Sequence, residues 1–115
     1  MDESFSLEYY DRIFGHRGPE FWELMLALEE QLESYADDLG PVLAARDRRA
    51  LTRLRHSHRP LVLNLKLNRL HSLEAQIAEA VEQGTSNVPL DVLSGLFQEE
   101  AHNLAHRLAK LRQAL

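Results

Sequence analysis

The residue of this sequence best suited to chemistry is His56, which lies in the most basic stretch of the chain. Residues 46 to 72 hold 8 basic side chains and 1 acidic side chain, although the whole chain has a formal net charge of −5. A neutral imidazole nitrogen is a nucleophile, and nearby guanidinium groups can offset the negative charge of an arriving phosphate. An exposed histidine among arginines can therefore carry a phosphoryl group.

The spacing of the neighbouring residues indicates where His56 points. At about 100° per residue, with Leu54 taken as zero, the apolar stripe of this segment centres near 10°, whereas His56 falls at about 200°. The side chains that share its side of the helix, between about 140° and 220°, are Thr52, Leu63, Arg59 and Arg49. His56 is therefore predicted to face water. The alternative is a solvated surface histidine with no chemical role.

The elements that position these residues are predicted to be helices, because apolar residues recur at spacings of three, four and seven and strict alternation is absent. Asp47 can cap the basic helix, whose apolar stripe includes His58. The long helix before it begins at Pro19, a favourable first helical position. The pair Gly40-Pro41 is expected to bend or break that helix near its end.

Three further helices complete the predicted architecture. A short first helix follows Ser4 or Ser6, stops at Gly15 and has an apolar side formed by Leu7, Tyr10, Ile13 and Phe14. A fourth carries Leu67, Leu70, Leu73, Ile77 and Val81. After a loop at 84–87, a fifth begins at Pro89 and carries Leu90, Leu93, Phe97, Leu104, Leu108, Leu111 and Leu115. Residues 1–115 are thus predicted to form one all-α domain, an up-and-down four-helix bundle with a short additional N-terminal helix.

Composition excludes several classes of protein. Hydrophobic residues make up 44% and charged residues 27% of 115 residues, which is typical of a globular chain that folds by itself. The absence of cysteine excludes disulfide scaffolds, thiolate metal sites and cysteine nucleophiles. The acidic amino terminus and the lack of a long apolar run predict a soluble cytoplasmic protein with no membrane association. The amphipathic stripes satisfy one another, so a monomer is expected.

The uneven charge predicts an interaction face. Residues 1 to 45 hold 11 acidic and 2 basic side chains, whereas the following stretch is strongly basic. A basic segment can bind nucleic acid, phosphate or an acidic protein patch, but the overall acidity argues against nucleic acid. The alternative is that the basic helix pairs with acidic neighbours inside the bundle.

The chain resembles histidine-containing phosphotransfer (HPt) domains of bacterial phosphorelays over nearly its whole length. In LGPVLAARDRRALTRLRHSHRPLVLNLKLNRLHSLEAQI, Asp47 precedes His56 by nine residues, as an Asp does in that family. Family apolar positions after the histidine match Leu65, Leu70, Leu73 and Ile77. The opening LEYYDRIFGHRGPEFWELMLALEEQL and the closing LDVLSGLFQEEAHNLAHRLAKLRQAL are similar to the family's first two helices and its last.

The core motif of the family, His-x-Leu-Lys-Gly, appears here as HSHRP. Arg59 replaces the lysine and keeps a cation one turn from the phosphoryl group. His58 replaces a buried leucine and is predicted to be a partly buried core histidine. Pro60 replaces the glycine and lacks the amide that would bond the carbonyl of His56, which costs about 3 kcal/mol in a regular helix unless the helix kinks there.

The resemblance implies a phosphoryl carrier that is a substrate rather than an enzyme. It implies that His56 accepts the group from an aspartyl phosphate of a response-regulator receiver domain and passes it to another, with a hybrid histidine kinase as a further partner. Arg59 would contact the phosphoryl oxygens, and Thr52, Arg53 and Leu63 would dock the partner. No cofactor is expected in this chain, because the receiver supplies Mg²⁺.

Two other functions stay open at this point. The chain is either such a carrier or a degenerate HPt-like adaptor or inhibitor that binds a receiver or another partner without transfer, an alternative favoured by Pro60. A third possibility is a metal-binding bundle through Glu99, His102 and His106, whose spacing suits a metal on one helix. Both histidines fall on the solvent face, whereas bundle metal sites face inward, so no metal site is predicted.

Overall fold

A computed structural model describes residues 4–84 and 87–114 as a bundle of helices. These residues form five helices and no strand: α1 (Glu8–Phe14), α2 (Pro19–Ala44), α3 (Arg48–Asn64), α4 (Asn68–Gln83) and α5 (Leu90–Gln113). The predicted all-α bundle with a short additional N-terminal helix is confirmed. The four long helices pack in chain order, and α2 closes the bundle against α5. Residues 45–47 and 65–67 are short links, so the chain reverses direction between consecutive helices.

The two short links end their helices in the same way. Arg46 has φ of 50° and Lys66 has φ of 54°, so each link contains one residue in the left-handed region. The next residue donates its amide to the carbonyl five residues back, over 3.2 Å at Asp47 and 2.9 Å at Leu67. This arrangement satisfies the last helical carbonyls and starts the reversal of the chain.

The helix starts agree with the sequence prediction. Pro19 is the first residue of α2, and Pro89 directly precedes α5. The Asp47 carboxylate accepts a hydrogen bond of 3.0 Å from the amide of Ala50, so it caps α3. The short α1 stops at Gly15, whose φ of 74° favours glycine.

Gly40-Pro41 was expected to bend or break α2, and the break is wrong, because α2 continues through Pro41 to Ala44. An internal proline loses one backbone hydrogen bond and presses on the preceding turn. Leu39 and Leu43 lie on either side of it and are 1% and 6% exposed, so continuing the helix keeps both in the core. The burial of two leucines offsets the local cost of the proline.

The core lies where α2, α4 and α5 meet and where α3 turns its apolar side inward. Its largest aromatic side chains are Phe21, Tyr35 and Phe97, all with no exposed surface. The predicted α4 stripe is buried throughout, whereas Ile13 of α1 is 60% exposed, contrary to the prediction. With only seven residues, α1 packs one side on the bundle through Tyr10 and leaves Ile13 in solvent.

Some predicted positions lie outside the described residues, namely Leu115 and the loop residues Thr85 and Ser86. Among the described residues, no helix combines the length and apolar character needed to cross a membrane.

Candidate functional site

The predicted acceptor face lies on the outer side of α3. His56, Thr52, Arg53 and Arg59 are all exposed, and Leu63 is 49% exposed although it is apolar. The helical wheel therefore placed His56, Thr52, Arg59 and Leu63 correctly with respect to solvent, and Arg53, a docking residue implied by the resemblance, is exposed as well. They share one surface of a single helix, to which neighbouring turns contribute.

A shallow depression of about 210 Å³ lies beside His56. Its α3 side is formed by residues from Thr52 to Leu63, including Arg55 and Arg59. Its α4 side is formed by His71 and Glu74. The depression therefore joins the candidate acceptor, two guanidinium groups and a second imidazole across the contact between two helices.

Sequence reasoning missed the α4 side of this depression. The position of His71 relative to His56 depends on how α3 and α4 pack, which a single-helix wheel does not contain. A signal was nevertheless present for Glu74, which follows Leu70 by four residues and precedes Ile77 by three. A carboxylate at stripe spacing marks a buried polar group that needs partners.

The charges of α3 divide into a paired end and an unpaired face. Arg48 donates to the carbonyl of Glu82 over 2.7 Å, and beyond the helix Lys66 lies 3.7 Å from Glu8. Within the described residues, no carboxylate oxygen lies within 4.0 Å of the arginines of α3, which are Arg48, Arg49, Arg53, Arg55 and Arg59. The ends of the basic segment therefore contact a backbone carbonyl and a glutamate, whereas the alternative that the basic helix pairs with acidic neighbours does not hold for the face around His56.

The hydroxyl groups on this face bond their own helix. Thr52 Oγ1 donates to the carbonyl of Arg48 and Ser57 Oγ donates to that of Arg53, each over 2.9 Å. Such bonds to the preceding turn are common for these residues in helices. Ser57 is thus turned to its own backbone and is not paired with a histidine as a nucleophile would be.

His58, two residues after the candidate acceptor His56, is 9% exposed and belongs to the core as predicted. Its ring stacks on Tyr35 with centroids 4.2 Å apart and planes 16° apart. The Gln31 amide nitrogen donates to Nδ1 of His58 over 3.0 Å, so that nitrogen is unprotonated and the proton is on Nε2. Burial lowers the pKa of His58, and the charge of Asp38 opposes this only in part.

Glu74 links the core to the depression. Its side chain is 6% exposed, and the hydroxyl of Tyr35 donates to its Oε2. Its Oε1 lies 3.6 Å from Nδ1 of His71, whose side chain is 59% exposed. Burial, followed by the charge of Glu74, raises the pKa of Tyr35, so this tyrosine keeps its proton as the donor.

Pro60 lies inside α3, which continues from Arg48 to Asn64. The helix therefore does not end at the proline. The side chain of Pro60 is exposed one turn beyond His56, so it adds an apolar ring to the surface beside the acceptor. In an α-helix the carbonyl of His56 has no amide to accept at this position.

The alternative metal site on α5 has a different arrangement. His102 and His106 are exposed, as predicted, and Nδ1 of His102 lies 2.8 Å from Oε2 of Glu33 on α2. In the described parts of the chain, no three histidine, aspartate or glutamate side chains come together as metal ligands. Glu99 therefore does not join the two histidines in a three-ligand site.

Comparison of the chain with family models, with curated proteins and with solved structures gives no match. The likeness to HPt domains consequently rests on the residues quoted above and stays a prediction.

Proposed function

We propose that the chain is a phosphoryl carrier that accepts the group on His56 from an aspartyl phosphate of a receiver domain and passes it to another. The single observation that carries the proposal is the unpaired basic face around an exposed imidazole, on a chain that is acidic overall. Arginines held near solvent without carboxylate partners retain their hydrogen-bond donors for an incoming anion. Arg55 and Arg59 line the same depression as His56.

The chemistry of transfer needs little from this chain. The lone pair of one His56 ring nitrogen attacks phosphorus, the bond between phosphorus and the aspartyl oxygen breaks, and the aspartate leaves as a carboxylate. The other ring nitrogen keeps its proton throughout. Arg59, one turn away, donates to the phosphoryl oxygens and offsets their charge. Magnesium chemistry belongs to the receiver, and this chain supplies the nucleophile and the cations.

Docking is assigned to the surface that surrounds the acceptor. Leu63 is an apolar side chain half in solvent, and Arg53 is a free cation on the same helix. A receiver surface with acidic residues around its aspartate would complement Arg53, while Leu63 would be covered in the complex. Thr52 contributes through shape, because its hydroxyl already donates to the helix backbone.

The proposal is tested by incubating the protein with phosphorylated receiver domains and following acid-labile, base-stable label on this chain. Wild type should become labelled, and His56→Gln should not be labelled while still binding the receiver. His102→Gln is the matched control, since it removes an exposed histidine that lies on another helix, away from the depression. Label that persists in His56→Gln would assign another acceptor, and an unlabelled wild type would overturn the carrier function.

A second function is favoured by Pro60. Its exposed ring occupies the position next to His56 where the family has a glycine, and it crowds the approach of a receiver. A chain that binds a receiver tightly, yet remains unlabelled both as wild type and as Pro60→Gly, would be an adaptor or inhibitor instead of a carrier.

A further inference from the structure

We infer that the depression beside His56 is a binding site for a phosphate dianion in which His71 of α4 is a ligand. This site deepens the proposed function and rests on it for one source of the ligand, the phosphoryl group carried by His56. Free inorganic phosphate is the other source and has the same chemistry. In both cases two helices hold the anion, α3 through its arginines and α4 through an imidazole.

The orientation of His71 is set by Glu74. A carboxylate oxygen 3.6 Å from Nδ1 favours a proton on that nitrogen, because the negative charge stabilises the facing N–H. Nε2 is then the ring nitrogen left for a ligand. The His71 side chain is 59% exposed and lines the depression together with His56.

Glu74 in turn is fixed by the core. It is buried, and the hydroxyl of Tyr35 donates to Oε2 while Oε1 faces His71. Both carboxylate oxygens thus already face a donor. Arg55 and Arg59 in the same depression supply cations against the charge of Glu74, so the depression can accept an anion although a carboxylate lies at its edge.

Binding of the anion proceeds without a covalent step. The guanidinium groups of Arg55 and Arg59 donate to phosphate oxygens, and they are free to do so because no carboxylate pairs with them among the described residues. Nε2 of His71, when it carries a proton, donates a hydrogen bond to a further oxygen, and the opposite charges of the ring and the dianion attract each other.

The first arm of the test is a titration with inorganic phosphate in a buffer that contains none, followed by the imidazole signals in NMR. The signals of His56 and His71 should shift with the same dependence on phosphate concentration, and those of His102 should not shift. His71→Gln should weaken phosphate binding about three- to tenfold, as expected for the loss of one hydrogen bond to a charged group. His71→Arg should restore it, and His102→Gln should leave it unchanged.

The second arm measures the lifetime of the phosphoryl group on His56. His71→Gln should shorten it, with His102→Gln again as the control. If wild type is never labelled, the proposed function fails and the titration alone decides the phosphate site. If wild type is labelled, but phosphate leaves the His71 signals unmoved and His71→Gln keeps the wild-type lifetime, the site is overturned and the carrier function stands. An effect in one arm alone supports the site and assigns free phosphate or the phosphoryl group as its ligand.

Discussion

His56 and His58 are two histidines only two residues apart on α3, and their side chains lie in opposite surroundings. His56 is exposed among unpaired arginines, whereas His58 is 9% exposed, stacked on Tyr35 and bonded to Gln31. Two helical steps turn a side chain by about 200°, which is enough to move it from water to the core. The comparison shows that position on the helix, and not residue type, separates a candidate acceptor from a structural residue.

The surroundings also determine what each ring can do. The Nδ1 atom of His58 already accepts a hydrogen bond and its ring is covered, so no phosphorus atom can approach it. His56 has open space on the side of the depression and cations next to it. These contacts give His58 a packing role, whereas they leave the ring of His56 open to a ligand.

The largest effect on stability is expected for His58→Ala. The change leaves a gap against Tyr35 and removes the acceptor of the Gln31 amide, and together these cost about 2 to 4 kcal/mol. His56→Ala is the matched control and should stay within about 0.5 kcal/mol, because its ring is exposed. Denaturant unfolding of both variants measures the difference. Equal losses would show that the two histidines are not in opposite surroundings.

Tyr35→Phe tests the buried surroundings of His58. The phenyl ring keeps the stacking area for His58 but leaves Glu74 without the hydroxyl donor on Oε2. A buried carboxylate that loses a donor costs about 1 to 3 kcal/mol. Denaturant melts should show this loss, and retained His58 ring signals in NMR would confirm that the packing survives. An unchanged stability would mean that Glu74 does not depend on Tyr35.

Pro60→Gly tests the exposed surroundings of His56. Removal of the proline recovers up to about 3 kcal/mol, and glycine within a helix costs about 1 kcal/mol, so a net gain of about 2 kcal/mol is expected. Phosphoryl acceptance by His56 should also become faster, because the exposed ring no longer crowds the partner. Pro41→Gly, which changes an internal proline away from the depression, should leave the labelling rate unchanged. Equal labelling rates in wild type and Pro60→Gly would contradict the crowding.

The smallest expected effect is a pH dependence of the free energy of unfolding that arises from His58. Burial holds its folded-state pKa below the ordinary value of 6.5, so between the two values the unfolded chain binds a proton that the folded chain does not. The stability from neutral His58 is complete above pH 6.5 and is lost as the pH falls below it. Each unit of lowering corresponds to about 1.4 kcal/mol. Denaturant midpoints between pH 7 and 5 should fall more for wild type than for His58→Gln, and equal slopes would refute the assignment.

Local patterns were sufficient for most of the fold. The Asp47 cap, the start of α2 at Pro19 and the exposure of His56 all depend on residues within one or two turns, which a sequence displays directly. The break expected at Gly40-Pro41 failed because Leu39 and Leu43 gain more from burial than the proline costs. That balance is set by the bundle and not by the dipeptide.

For the same reason, the sequence predicted only the α3 side of the candidate site. The α3 side follows from one helical wheel, whereas His71 joins it through the packing of α4 on α3. The core side was hidden as well, because Gln31 and Tyr35 lie on α2 and meet α3 and α4 only after folding. Contacts between helices require a register that periodicity does not determine.

The closure of α2 against α5 has a consequence for the order in which the bundle assembles. These helices share the most extensive contact of the bundle, yet residues 45–89, which include two other helices, separate them along the chain. By contrast, links of three residues join α2 to α3 and α3 to α4, so these hairpins are the cheaper units to form, because short loops cost less entropy to close. We expect these hairpins to form early and α5 to dock last, so in hydrogen exchange pulsed during refolding the amides of α3 should become protected before those of α5. The helix that carries the candidate acceptor would then be in place before the bundle closes.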